Sequence, residues 1–347
     1  MKRVAILCGG PGSEHEISCL SADGVLSAID RSEYETILIG ITREGTWMAL
    51  PLDYSLSIEG RTLPSVTGNF PEVTRGESGL SIDGDVLALD VIFPVLHGTY
   101  GEDGQLQSDL DQIGIAYVGS GAVASELAMD KAEAKSFFAK AGIAIAPGIA
   151  VTEAQWKREP EAVTESISTL GMPLFVKASR GGSSRGTVKV KDASAFASAM
   201  EEALSFDSKV LIESAIDGAE VECAVLEIEG NAQASVPGKV WIDPQYEFYD
   251  YQAKYLDGAT RIDIPAPFNN EIIEKIRSYA LIAFKAIGAK GLARVDFFVT
   301  QGGEIIINEI NTMPGFTRTS AYPKMWQATG IGYSEVITHL LQSASQR

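Results

Sequence analysis

The feature that most restricts the fold is the opening of the chain. Val4-Ala5-Ile6-Leu7-Cys8 is an unbroken apolar run that stops at Gly9-Gly10-Pro11-Gly12, and Ile17, Leu20, Val25 and Ile29 then recur on one side of the next segment. A short all-apolar run reads as a strand buried on both faces, and the spacing after it is that of an amphipathic helix. Further strands over 36–41 and 90–96 and a helix over Gln105–Ile113 continue the alternation, so roughly the first 125 residues are expected to form a parallel α/β sheet. Residues 52–85, rich in Gly, Ser, Thr and Pro, read as a surface excursion or an irregular hairpin.

Past Ser125 the pattern changes. Helices are expected over 130–141, 193–206 and 270–287. Strands are expected over 148–151, 173–178, Thr187–Val190, Lys209–Ser214, 220–228, Leu292–Thr300 and 304–310. Hairpins mixed with helices make this part α+β. The expected division is an α/β unit over 1–125, a central unit over 126–215 and a C-terminal unit over 216–347.

Composition removes several classes of function. With 28 Lys+Arg against 46 Asp+Glu in 347 residues, the formal charge is −18, which disfavours nucleic acid and anionic membrane as partners. Cys8, Cys19 and Cys223 form no CxxC pair and are odd in number, which argues against a disulfide framework and for a reducing, cytoplasmic setting. His15, His97 and His339 are too few for a Cys/His zinc site. No stretch approaches the roughly 18 apolar residues of a membrane span, and the first apolar run is too short for a secretory signal.

The glycine turn resembles a dinucleotide fingerprint but lacks its third glycine, and the second strand ends Ile41-Thr42 without an acidic residue for a ribose. A helix N-terminus facing an anionic ligand survives, where Glu14 and Glu16 either complement the helix dipole or meet a substrate. Gly182-Ser183-Ser184-Arg185-Gly186 matches a nucleophile elbow only formally, because it runs into a strand rather than a helix. With Arg180 and the strand lysine Lys177 nearby, it reads better as a flap over phosphates. Gly238-Lys239 is followed by Val240, so there is no Walker A loop.

The densest constellation is late in the chain. Arg294 and Asp296 share one strand face, Glu309 and Asn311 share another, and a tight turn over 300–303 pairs the strands. Asp296, Glu309 and Asn311 then converge as oxygen donors suited to Mg²⁺ completed by phosphates and water. The turn within 311–317, Asn-Thr-Met-Pro-Gly-Phe-Thr, exposes backbone N–H groups fit for an oxyanion or a carboxylate. His97, in His-Gly-Thr-Tyr-Gly-Glu-Asp-Gly, sits at the carboxyl end of a parallel strand, where α/β sheets bind ligands, as either a structural or a catalytic residue. Residues 248–255, FYDYQAKY, are too polar for a core strand and too aromatic for a linker, which suits a binding loop.

Taken in order, GGPGSEHEIS, LHGTYGEDGQLQ, MDK, VKASRGGSSRG, FYDYQAKY, ARVDFF and NEINTMPGFT resemble the D-alanine–D-alanine ligases of the ATP-grasp superfamily over essentially the whole chain. The resemblance implies a Rossmann-like N-terminal domain followed by a two-subdomain ATP-grasp fold, with ATP between the subdomains. It implies phosphate contacts from Lys131 and Lys177, closure by Gly182 and Ser184 of the flap, Glu213 at the adenine, Glu220 at the ribose, and a nucleotide role for Phe248. Asp296, Glu309 and Asn311 match the family's ligands for Mg²⁺ or Mn²⁺, expected as two ions. Glu14, Ser183 and Tyr255 match a hydrogen-bonded set around the second D-alanine; His97 would lie near the first, and Ser320 at the carboxylate of the second. Lys254, Arg294 and the Gly315 N–H would stabilise charge during acyl-phosphate formation and amine attack.

The implied product is D-alanyl-D-alanine for peptidoglycan precursors, because relatives that make D-alanyl-D-lactate lack the Lys254-Tyr255 pair. The alternatives are a D-lactate or D-serine ligase, or a non-catalytic ATP-binding module. A homodimer is expected, mediated by the first domain, with 245–258 and the flap as lids. Ala178, Gly181 and Ser214-Ala215 depart from the family pattern of proline, glutamate and Lys-Trp, so the resemblance does not carry side-chain contacts to adenine at 214 and 215 and leaves backbone contacts there open.

Overall fold

The computed structural model describes residues 1–58, 60–242 and 260–346. Phe248, Lys254 and Tyr255, and the lid expected around them, lie outside the described residues. Strand β1 (Lys2–Gly9) lies between β2 (Tyr34–Ile41) and β7 (Val91–Pro94), parallel to both, and β3 (Trp47–Leu50) adds an antiparallel edge. Successive residues of β1 face opposite sides of the sheet. Val4, Ile6 and Cys8 join one hydrophobic core, and Ala5 and Leu7 join another. Helix α1 (His15–Ala28) covers the first side, and Leu106 and Leu110 of α2 (Gln105–Ile113) pack on the second.

Residues 52–85 are more ordered than a surface excursion. They form a small antiparallel sheet of β4 (Val73–Gly76), β5 (Gly79–Ile82) and β6 (Asp85–Val86), and they bury Leu56, Val66, Val73 and Leu80. His15 anchors this segment: the Val66 N–H donates to Nε2 at 2.9 Å, so Nδ1 carries the proton and donates to Gly10 O at 2.7 Å. Aperiodic composition concealed this, because a short meander needs only one inward side chain every other residue.

Helices α3 (Ala122–Met129) and α4 (Lys131–Lys140) lead into the second sheet, of order β10-β9-β11-β8. Its strands are β8 (Gly148–Thr152), β9 (Leu174–Ala178), β10 (Thr187–Val190) and β11 (Lys209–Ser214), and helix Phe196–Leu204 packs on it through Phe196 and Met200. The third sheet runs β15-β14-β12-β16-β17, with β13 beside β12. These are β12 (Gly218–Ile228), β13 (Asn231–Ala234), β14 (Gly238–Ile242), β15 (Thr260–Asp263), β16 (Leu292–Thr300) and β17 (Ile305–Asn311). Ile276, Ala280 and Phe284 of helix Asn270–Ala286 seal it together with Phe138 of α4.

The last two helices, Ala321–Thr329 and Tyr333–Ala344, return to the first sheet. Trp326, Leu340 and Phe316 share one core with Val4, Ile6 and Phe93, and Phe316 meets the Phe93 ring edge-on at 5.8 Å. Trp326 is fully buried at this junction, so Trp326→Ala is expected to lower stability by about 3–5 kcal/mol in urea unfolding. A loss below about 1 kcal/mol would show that the C-terminal helices do not share that core.

Candidate functional site

A cleft of about 950 Å³ opens where the three larger sheets meet, and it is lined by Glu14 and α1, His97 and Glu102 of the loop after β7, the 181–187 loop, β12, β16, β17 and the turn after β17. Its floor is a row of acids. Glu222 on β12 pairs in register with Asp296 on β16, and Asp296 pairs with Glu309 on β17. Directly opposed residues of antiparallel strands share a face, so all three carboxylates point the same way. The fork of Arg294, two residues before Asp296, donates from Nε and Nη2 to the two Asp296 oxygens at 2.7 Å each. Its Nε is also 3.6 Å from Glu222 Oε1. Asn311 pairs with Arg294 in register and donates through Nδ2 to Asp296 Oδ2 at 3.1 Å.

The expected turn closes the hairpin, with the Gly303 N–H on Thr300 O at 3.0 Å. A bulge between Asp296 and Phe297 was not foreseen: Asp296 opposes Glu309 while Phe297 opposes Ile307, which leaves Asn308 as an extra residue. The sequence does bring Asp296, Glu309 and Asn311 together. Two carboxylates and an amide are hard oxygen donors that fit Mg²⁺ or Mn²⁺, and they leave coordination positions for phosphate and water. Among the described residues no cluster of three or more His, Cys, Asp or Glu forms a self-sufficient metal cage.

Above the floor lies a chain of ammonium groups. Lys131, the first residue of α4, donates to Gly181 O at 2.6 Å and lies 3.5 Å from Glu309 Oε2. Asp130 caps that helix and accepts from Ser179 Oγ at 2.7 Å and from Arg180 Nε at 3.2 Å, which ties the base of the flap to α4. Lys177 of β9 reaches Glu213 Oε2 at 3.0 Å and Asn308 Oδ1 at 3.4 Å. Glu213, only 2% exposed, also holds Lys135 at 2.5 Å. Burial pushes the Glu213 carboxyl up, yet Lys135 and Lys177 outweigh burial and hold it down at about 2. Lys135 and Glu222 escaped the reading of the sequence. The available signals were the i, i+4 spacing of Lys135 from Lys131 and a second acid two residues after Glu220 in an apolar strand.

The flap is a loop between antiparallel strands, with Thr187 of β10 opposite Lys177 of β9. Ser183 and Ser184 hold left-handed backbone angles, φ 51° and 58°, the kind of strain that a functional loop retains when its contacts demand it. One such contact is visible, because Ser183 Oγ donates to Glu14 Oε1 at 2.6 Å. Glu14 therefore turns to the flap instead of capping α1, whereas Glu16 pairs with Arg43 at the surface. Gly98 allows this approach: at φ +66° a Cβ there would lie 2.1 Å from Glu14 Oε2.

His97 is held at both ring nitrogens. Nδ1 lies 2.9 Å from Met313 O and must carry the proton, so Nε2 accepts from Ser21 Oγ at 2.8 Å. Burial lowers its pKa against the pull of Glu14, which keeps the ring neutral and makes it a brace between α1 and the turn after β17. Glu102 braces the same turn by accepting the Gly98 N–H at 2.8 Å and the Met313 N–H at 2.9 Å; burial and Glu14 nonetheless push its carboxyl up to about 8. Ser320 Oγ accepts the Thr317 N–H at 3.1 Å, and a Cβ on Gly315 would meet that oxygen at 3.3 Å, so Gly315 and Ser320 face one small space.

The Glu213 pairing has a pH signature. Its carboxyl titrates at about 2 instead of 4.5, so its stabilisation is complete above pH 4.5 and is lost as the pH falls from there through 2. Glu213→Gln is expected to remove about 3 kcal/mol of that pH dependence, read by urea unfolding across the window. Parallel acid limbs in the two proteins would refute the pairing.

Known proteins resemble the chain throughout. The family described as "D-ala D-ala ligase N-terminus" matches residues 3–120, and "D-ala D-ala ligase C-terminus" matches 137–342. Proteins named D-alanine–D-alanine ligase from Arthrobacter sp. (strain FB24) and Rhodococcus erythropolis are each 44% identical across 99% of this chain, covering 94% and 97% of their own lengths. Among solved structures, the VanG D-Ala:D-Ser ligase of Enterococcus faecalis superposes with a TM-score of 0.86 at 33% identity over 99% of both chains. The D-alanine-D-alanine ligase of Coxiella burnetii superposes at 0.85 and 31% identity, over 100% of this chain and 96% of its own.

Proposed function

Because the chain belongs to the D-alanine–D-alanine ligase family, with an ATP-grasp fold, we propose that it joins two D-alanines to D-alanyl-D-alanine through a D-alanyl phosphate, releasing ADP and phosphate. The observation that carries this reading is the row Glu222–Asp296–Glu309 with Arg294 forked onto Asp296, set on the cleft floor beneath the flap. Phosphoryl transfer asks a protein mainly for positioning and charge stabilisation, and this row concentrates both. Relatives named D-alanine–D-alanine ligase, 44% identical over 99% of the chain, support D-alanine as the second substrate.

In this reading ATP lies between the second and third sheets. Lys131, Lys177, Gly182 and Ser184 meet its phosphates, and Glu213 and Glu220 line the nucleoside end. Asp296, Glu309 and Asn311 would hold the divalent cations, Mg²⁺ or Mn²⁺, which would supply neutralisation of phosphate charge. The carboxylate of the first D-alanine, beside His97, attacks the γ-phosphate. The amine of the second D-alanine then attacks the acyl carbon, and phosphate leaves. Arg294 and the Gly315 N–H stabilise the oxyanion, Ser320 receives the second carboxylate, and Glu14 with Ser183 draws the flap down to exclude water. The family pattern adds Tyr255, Lys254 and Phe248 to this set. Three free, buried cysteines suit a reducing cytoplasmic setting, and the family resemblance favours a homodimer, which sedimentation tests.

Arg294→Ala is expected to cut turnover by about 10²–10³ while ATP binding stays measurable by calorimetry. Near-normal turnover would remove Arg294 from the mechanism. Offering D-alanine, D-lactate and D-serine singly and in pairs with ATP and Mg²⁺ should give ADP release dominated by D-alanine alone. A clear preference for D-lactate or D-serine as second substrate at neutral pH would replace the assignment, and ADP release independent of any of them would reject the ligase.

A further inference from the structure

Lys135 takes no part in the chemistry above, yet its side chain is only 5% exposed. Burying an ammonium is costly unless a partner compensates it. The partner is Glu213, whose Oε1 lies 2.5 Å from Lys135 Nζ while its Oε2 lies 3.0 Å from Lys177 Nζ. A purely structural ion pair would need one lysine, and here one buried carboxylate holds two.

The charges explain the surplus. Lys177 and Glu213 alone would cancel, so the strand lysine would present almost no net charge to the cleft. With Lys135 the triad carries one positive charge. Lys135 lies in the deeper position on α4, and Lys177, 14% exposed, lies against the cleft. We infer that Lys135 is a positioning residue that absorbs the charge of Glu213, so that Lys177 presents its full positive charge to the polyphosphate of a nucleotide. The inference rests on the proposal that Lys177 meets those phosphates. At Lys177 burial pulls the ammonium down but Glu213 more than restores it, so it stays charged; at Lys135 burial outweighs the pull of Glu213 and lowers the ammonium.

The test separates phosphate binding from nucleoside binding. Calorimetry with ADP and with adenosine, both with Mg²⁺, gives a phosphate increment, the ratio of the two dissociation constants. In Lys135→Met that increment should fall by roughly tenfold, with adenosine affinity changed less than about twofold. Glu213→Gln should raise the increment, because both lysines lose their counter-charge, and the double variant Lys135→Met with Glu213→Gln should restore it. Lys135→Arg should retain it. An equal loss for ADP and adenosine in Lys135→Met, or no loss in either, overturns the inference. If Lys135→Met fails to fold, a Glu213→Gln increment at or below that of the unaltered protein overturns it instead. Lys177→Met separates the two layers: an unchanged increment there rejects Lys177 as a phosphate ligand, whereas a fall there without a fall in Lys135→Met rejects only the role of Lys135.

Discussion

Charge compensation on one rung of a β-sheet governs this site. Glu222, Asp296 and Glu309 come from three adjacent strands and face one way, which would be repulsive without cations at hand. Arg294 grips Asp296, and Lys131 approaches Glu309. The flap accepts from Lys131, the first residue of α4, and Asn311 at the end of β17 donates to Asp296. A nucleotide bringing its own divalent cations would exchange one set of compensating charges for another.

The same economy appears across the whole cleft. Its described lining carries seven Lys or Arg and eight Asp or Glu, whereas the chain as a whole has 28 against 46. A net charge of −18 therefore says little about the place where anionic substrates would bind, because the surplus acid lies elsewhere on the surface. Most of these cations are already engaged with protein carboxylates or carbonyls. The lysine triad around Glu213 shows how a deeply buried charge can set what a neighbouring group offers to solvent.

Packing places these groups within reach of one another. The two C-terminal helices pack between the third sheet and the first, with Tyr322 donating to Val225 O of β12 at 2.8 Å, and Phe316, in the turn after β17, lies in that shared core. His97 and Glu102 reach from the first sheet to Met313 in the same turn. The turn that carries Gly315 is thus held by residues more than 200 positions away, so the first sheet and the third sheet set its position together.

Much of this was legible in the linear chain, for reasons of period and punctuation. Short apolar runs bounded by glycine or polar residues marked β9, β11 and β16 to within a residue and β1 to within two, since strand burial and tight turns are local properties. The two-residue spacing of Arg294 with Asp296, and of Glu309 with Asn311, announced a shared face before any coordinates. The motifs in order were enough to indicate the family. What only the tertiary structure decided was partnership: that Glu16 pairs with Arg43, that the 52–85 segment carries core, that Glu222 joins the acidic row, and that Lys135 shares Glu213 with Lys177. Those outcomes depend on contacts between residues distant in the chain and on the desolvation that accompanies them. Periodicity and composition are blind to both, because each charge looks alike in sequence until the fold chooses its neighbour.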